Sequence, residues 1–309
     1  QGPGHSHWSY EDVEHWGVVY PDCARTSQSP INIDVTKTIF SPHLRPIQLS
    51  GYSLPANQKL KLSNNGHTVV LELPETLAIT GGYAQQYRAV QLHLHWGRRG
   101  SQGKGPSQGE WYQPAGTGQS LSPHCTCHCC GVSVLQVGPR ENPYYQEIFE
   151  HLNEIGAEGE EVMVSGFNIA GLLPANLKFY FHYNGSLTTP PCYQTVKWTV
   201  FNQTVLISRE QMSTLAMSLR NEDSEPLQNN YRPVQGLNGR RVLASFQTTL
   251  SLEKPIPPGD VLAVLFGVLF AITALAFLLY IYKHRSQNAR LDSPTKSKVI
   301  YTAASTENT

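Results

Sequence analysis

Several short runs of this chain alternate apolar with polar residues, the period of a β-strand whose successive side chains point to opposite faces. Gln91-Leu92-His93-Leu94-His95-Trp96 is the most regular. It puts Gln91, His93 and His95 on one face and Leu92, Leu94 and Trp96 on the other. Residues 60–62 and 69–73 alternate on either side of Ser63-Asn64-Asn65-Gly66, a turn signal, and His67 sits just past that turn. Residues 177–183 and 196–201 read as further strands. Two segments have helical spacing instead. Asn142 can cap a helix with Pro143 in its first turn, and Tyr145, Ile148, Phe149, Leu152 and Ile155 form its apolar stripe. Ser208 and Gln211 predict a capping box, with Met212, Leu215, Ala216 and Leu219 facing inward behind it. Near the start, Trp8, Tyr10, Trp16 and Tyr20 are dense but aperiodic, which predicts an irregular segment pinned onto a core by large rings. Strands outnumber helices, and no internal repeat is present.

The longest apolar run is of another kind. Residues 261–282 are uncharged and almost wholly apolar, long enough to cross a hydrocarbon core. Lys283, His284 and Arg285 follow at once, whereas residues 255–260 carry no net positive charge. The positive-inside rule then puts the domain over residues 1–250 outside the cell and residues 283–309 in the cytosol. Ala263, Gly267 and Ala271 recur every four residues, a face that either packs two such helices into a homodimer or meets lipid. Pro255, Pro257, Pro258 and Gly259 predict a short stiff stalk over residues 251–260, and the polar tail reads as a disordered solubilising segment. No signal peptide stands at Gln1, so a processed or incomplete chain is expected.

Composition narrows the class. The length of 309 residues suits one large β-rich domain with extras, and 25 Gly and 21 Pro suit a turn-rich β fold. Lys and Arg number 23 and Asp and Glu 23, so no overall field argues for a nucleic-acid partner. Of six cysteines, four crowd into Cys125, Cys127, Cys129 and Cys130; Cys23 and Cys192 suit a disulfide in an oxidising compartment. Glycosylation sequons at Asn184 and Asn202 agree with that location.

The candidate chemistry lies on the regular strand. Two imidazoles two residues apart on a rigid strand are well placed to hold one metal ion, and zinc accepts nitrogen ligands in a tetrahedral shell. Gln91 on the same face can anchor an imidazole and fix its tautomer. The pattern equally fits a pair of surface histidines on a half-solvated strand.

Other motifs extend the picture. Trp8 with Tyr10, Gln28-Ser29-Pro30-Ile31, Asn64-Asn65-Gly66-His67, the run from Gln91 to Gly97, and Asn184-Gly-Ser-Leu-Thr-Thr-Pro-Pro-Cys192 follow one another in order. With Asn230-Tyr231-Arg232-Pro233 and Ala244-Ser245-Phe246, they resemble an α-class carbonic anhydrase. Cys23, Cys192, the membrane segment and the tail make the chain most similar to the single-pass transmembrane members. The resemblance covers about residues 7–98 and 131–285. It implies a mainly β fold with a large, twisted, mostly antiparallel central sheet, a few peripheral helices, one transmembrane helix, and a metal at the bottom of a cone-shaped cleft. It implies reversible hydration of carbon dioxide to bicarbonate and a proton, with Zn2+ as cofactor, serving extracellular pH. Zinc lowers the pKa of its bound water to about 7, which supplies hydroxide at neutral pH. By the same resemblance His93 and His95 are two of three zinc ligands, and Thr188 orients the hydroxide. Thr189 lines the substrate side, and Leu187 and Trp198 form part of the apolar wall. His67 resembles the proton shuttle, its imidazole able to take and give a proton near pKa of about 6.5. Tyr10, Asn65 and Thr189 would order the water chain to it.

Residues 99–131 depart from the family pattern. The third zinc histidine, its supporting carboxylate and the glutamate behind the threonine belong here, and this chain offers Glu110 and a Pro-His-Cys-Thr-Cys-His-Cys-Cys run instead. A strand there would put His124, Thr126, His128 and Cys130 on one face, so His128 or His124 could complete the site, or a thiolate could substitute. The alternative is a foreign stretch between two flanks that resume the pattern. The reading is a type I plasma-membrane glycoprotein acting on carbon dioxide and bicarbonate, weakened or inactive if residues 99–131 are native; the competing one is a non-catalytic ectodomain that binds a partner.

Overall fold

The computed structural model describes residues 8–82, 86–97, 111–112, 114–118, 128–247 and 258–291. It divides into two compact units, Gln1–Leu252 and Glu253–Thr309.

The first unit is built on a ten-stranded sheet. Its strands, in spatial order, are Ile39–Phe40, Leu243–Ala244, Tyr180–Gly185, Val196–Phe201, His128–Val132, Pro114–Gly118, Gln91–Leu94, Val69–Glu72, Lys59–Asn64 and Glu161–Ser165. Most neighbours are antiparallel; Ile39–Phe40 with Leu243–Ala244 and His128–Val132 with Val196–Phe201 are parallel. The expected turn closes a hairpin in which Asn64 pairs with Val69, and Gly66 supplies the positive φ of 78° that the bend requires. One core lies where Leu62, Leu71, Leu94 and Trp96, each at most 1 % exposed, meet the helices Pro143–Phe149 and Arg209–Ser218. A second cluster gathers Ile31, Tyr183, Val196 and Trp198.

Local signals explain most boundaries. Asn142 Oδ1 accepts from the amides of Tyr144 and Tyr145, and Ser208 and Gln211 form the reciprocal capping box. The stripe from Tyr145 to Ile155 is buried, but it is split into Pro143–Phe149 and a 3-10 turn at Leu152–Ile155, because His151 N–H bonds the nearer carbonyl of Ile148. The strand expected from residue 177 starts at Tyr180. Asn176 Oδ1 captures the Lys178 amide and holds the chain in a turn until then. The aromatic N-terminal segment winds into short turns at Tyr10–His15, Trp16–Val19 and Pro21–Ala24 rather than staying irregular. Trp8, Tyr10 and Trp16 meet edge to face, with centroids 5.2–5.8 Å apart. The disulfide Cys23–Cys192 forms and spans 169 residues of sequence.

The second unit holds one helix, Pro258–Leu291, whose apolar part Gly259–Ser286 is long enough to cross a membrane. Its 28 residues rise about 42 Å, against a hydrocarbon core of about 30 Å. The helix takes in residues 258–260 of the anticipated stalk and runs past Tyr282 into the anticipated tail.

Candidate functional site

The strand Gln91–Leu94 carries His93, and His95 lies one residue beyond its end. The ladder stops there because Asn230 takes over. Its Oδ1 accepts from Trp96 N–H at 2.8 Å, its Nδ2 donates to the carbonyls of Leu94 (3.2 Å) and His67 (3.0 Å), and its own carbonyl accepts from His95 Nδ1 at 2.5 Å. Thr68 Oγ1 donates to the Leu94 carbonyl as well. That bond assigns the proton of His95 to Nδ1 and leaves Nε2 as a lone pair, buried and without a protein partner. The His93 and His95 rings stand 4.9 Å apart at 85°. Burial first, and the neighbouring His95 second, push the His93 pKa down to about 3; burial also lowers that of His95, against the Asn230 carbonyl. Both rings are therefore neutral nitrogen donors at working pH. Neutral imidazoles set side by side in this way have the chemistry a metal-binding pair would need.

Tyr10 meets His95, and His67 meets Tyr10 in turn. The Tyr10 hydroxyl lies 3.5 Å from His95 Nδ1, and burial raises its pKa, so it stays protonated. His67 is half-buried and stacks on Trp8 at 3.9 Å and 13°. Asn65 Oδ1 accepts from the amides of His67 (3.0 Å) and Thr68 (2.8 Å), so its side chain shapes the turn that carries His67. Leu187, Thr188 and Thr189 are half-buried in the loop after Tyr180–Gly185. That loop is tied by Leu187 N–H to Tyr193 O, by Cys192 N–H to Thr189 O, and by the disulfide. Leu187 packs on the cluster containing Trp198, whose indole donates to the Ser186 carbonyl at 3.0 Å. Asn184 and Asn202 are exposed.

The third donor is not among the described residues. The strand next to Gln91–Leu94 is Pro114–Gly118, which pairs Ala115 with His93 and holds no imidazole, thiol or carboxylate. His128 begins the strand after that, where Val132 pairs with Ala115. Four residues along a strand and two strand spacings across put the His128 and His93 backbones about 16 Å apart. Two imidazoles sharing one zinc, each at about 2.0–2.1 Å from it, do not reach that far, so His128 is not brought to the pair. His124, Thr126 and Glu110 lie outside the described residues, and no group of three metal-ligating side chains occurs among those described. Among the described residues the donors fit zinc in kind and fall one short in number.

Sequence reasoning quoted Asn230 within a motif but gave it no role. The 135 residues separating it from His95 leave no local signal of the contact.

Comparison with known proteins agrees with the geometry. The family described as eukaryotic-type carbonic anhydrase matches residues 11–107 and 127–246. The unmatched stretch is therefore 108–126, narrower than the 99–131 expected from the sequence. The chain is 34 % identical to human (Homo sapiens) carbonic anhydrase 12 over 310 residues, covering 91 % of this chain and 85 % of the relative. It is 34 % identical to carbonic anhydrase 6 of Bos taurus over 257 residues (77 % and 80 % covered), and 32 % identical to carbonic anhydrase 4 of Rattus norvegicus over 279 residues (82 % and 89 %).

Proposed function

This chain belongs to the eukaryotic-type carbonic anhydrase family, and on that premise we propose that it presents a carbon dioxide/bicarbonate cleft at the outer surface of the plasma membrane, with turnover weak or lost. The pairing of His93 with Ala115 carries this reading, because the strand beside the histidines brings no third imidazole to them. The family's reaction generally depends on zinc. His93 and His95 are the residues that would hold it, and ligand number governs both how tightly zinc is held and how acidic its water becomes.

The rest of the cleft keeps its chemistry. Thr188 and Thr189 offer hydroxyls on the substrate side, and Leu187 with Trp198 gives an apolar wall that suits a small uncharged substrate. His67, Tyr10 and Asn65 make the proton path. An apolar helix followed by Lys283 and Arg285 supports a type I orientation, and the disulfide and the exposed sequon asparagines Asn184 and Asn202 support an extracellular, glycosylated domain. The same missing donor favours a second reading, a non-catalytic ectodomain that binds a partner.

Zinc content and carbon dioxide hydration, measured together on the purified full chain in detergent, decide between them. Substoichiometric zinc with slow hydration that falls further in His93→Ala is the expected result. One zinc per chain with rapid turnover overturns the attenuation. A folded chain with neither zinc nor hydration leaves the binding reading.

A further inference from the structure

The sheet has a hole in its reverse side. Register places Gly131 of the strand His128–Val132 level with Gly116 on one neighbour and Thr199 on the other. Continuing the pairing of His93 with Ala115 brings Gly116 level with Leu92. Across the middle of the sheet, on the face opposite His93, two consecutive strands therefore contribute no side chain, each strand being about 4.8 Å from the next. Among the described residues, a Cβ built on Gly131 would find nothing nearer than Phe201 Cε2 at 4.0 Å. Ala89, also small, is on the same wall, and the result is a cavity of about 60 Å³.

We propose that this cavity is a binding site for a single small apolar molecule of the size of a dissolved gas. Its walls are Leu73, Ala89, Leu92, Leu172 and Phe201 with other aliphatic neighbours, and Tyr52, Gln91 and Thr199 are the polar residues among those lining it, the strand period turning the Gln91 side chain to the His93 face. A water needs about 10–15 Å³ and two to four polar partners. The space exceeds the first requirement and hardly meets the second, so an apolar occupant gains contacts there that water does not. The glycine pair creates the site: any larger residue at position 131 fills it. The inference is independent of zinc and of turnover, since none of its walls is a histidine.

Xenon is the probe. The full chain, methyl-labelled and held in lipid nanodiscs, is titrated with xenon pressure while the methyl resonances of Leu73, Ala89, Leu92 and Leu172 are followed. Saturable shifts confined to these methyls are expected. Gly131→Ala, which adds a methyl without a close contact, weakens xenon binding about threefold or more and raises the melting temperature, as filling a void and restricting the unfolded chain both should. Ala89→Leu, filling from a second lining position, weakens it similarly and serves if one variant does not fold. Shifts that are absent, that rise linearly with pressure, or that persist unchanged in both folded variants overturn the proposal.

Discussion

Ala115 is the residue that the neighbouring strand sets opposite His93. Directly opposed residues of an antiparallel pair lie about 4.5–5.5 Å apart at Cα and share a face. An imidazole introduced at position 115 therefore arrives beside His93 without moving either strand. Ala115→His is expected to tighten zinc binding about tenfold or more, measured by competition with a chelator. Unchanged affinity in a folded variant would show that His93 and His95 are not the donors. Asn230 works differently at the same scale. Its fully buried side-chain amide ends the histidine strand at Trp96 and holds the His67 carbonyl, while its main-chain carbonyl sets the His95 tautomer, so two candidate residues share one support. Such sharing predicts non-additive mutations around it.

At the scale of elements, the disulfide fastens the turn Pro21–Ala24 to the loop that carries Thr188 and Thr189. Cys23 and Cys192 are buried with Trp16, and Arg232 bridges beneath them, donating to the carbonyl of Cys23 and to Gln28 Oε1. Replacing both cysteines with serine should lower unfolding stability by about 2–5 kcal/mol in a urea titration. A smaller loss would mean that packing around Trp16 holds the loop unaided. The elements also mark what a sequence can and cannot disclose. Caps such as Asn142 and Ser208, the bend at Gly66 and the period of Gln91–Leu94 are local, and all were legible. The exit of His95 and Trp96 from the ladder was not, because Asn230 imposes it from a distant segment. The neighbour of the histidine strand was hidden for another reason. Pro-Ala-Gly-Thr-Gly has neither strand propensity nor alternation, and only its partners on both sides make it a strand.

For the molecule as a whole, acid should be destabilising in a way that one histidine reports. His182 lies on the strand Tyr180–Gly185, in register with Thr199 and Leu243. Burial lowers its pKa below the ordinary 6.5, the Trp198 backbone partly opposes this, and Lys197 adds to it. The unfolded chain then binds more protons than the folded one once the pH falls below about 6.5. The contribution of the neutral ring is complete above that value and is lost as the pH drops toward the lower folded pKa. His182→Gln should therefore flatten the acid limb of a melting-temperature profile, with little change in slope above about pH 7. Parallel acid limbs for the two proteins would remove His182 as a contributor.

The parallel pair at the sheet's edge has a consequence for how the protein is made. Ile39–Phe40 waits for Leu243–Ala244, so the first of these strands to leave the ribosome is paired only by the last. Ala244 precedes the apolar helix, which starts at Pro258, by little more than a dozen residues. Closing the sheet and completing the apolar helix are thus nearly simultaneous events in synthesis. A chain halted anywhere before Leu243 leaves the edge at Ile39–Phe40 open.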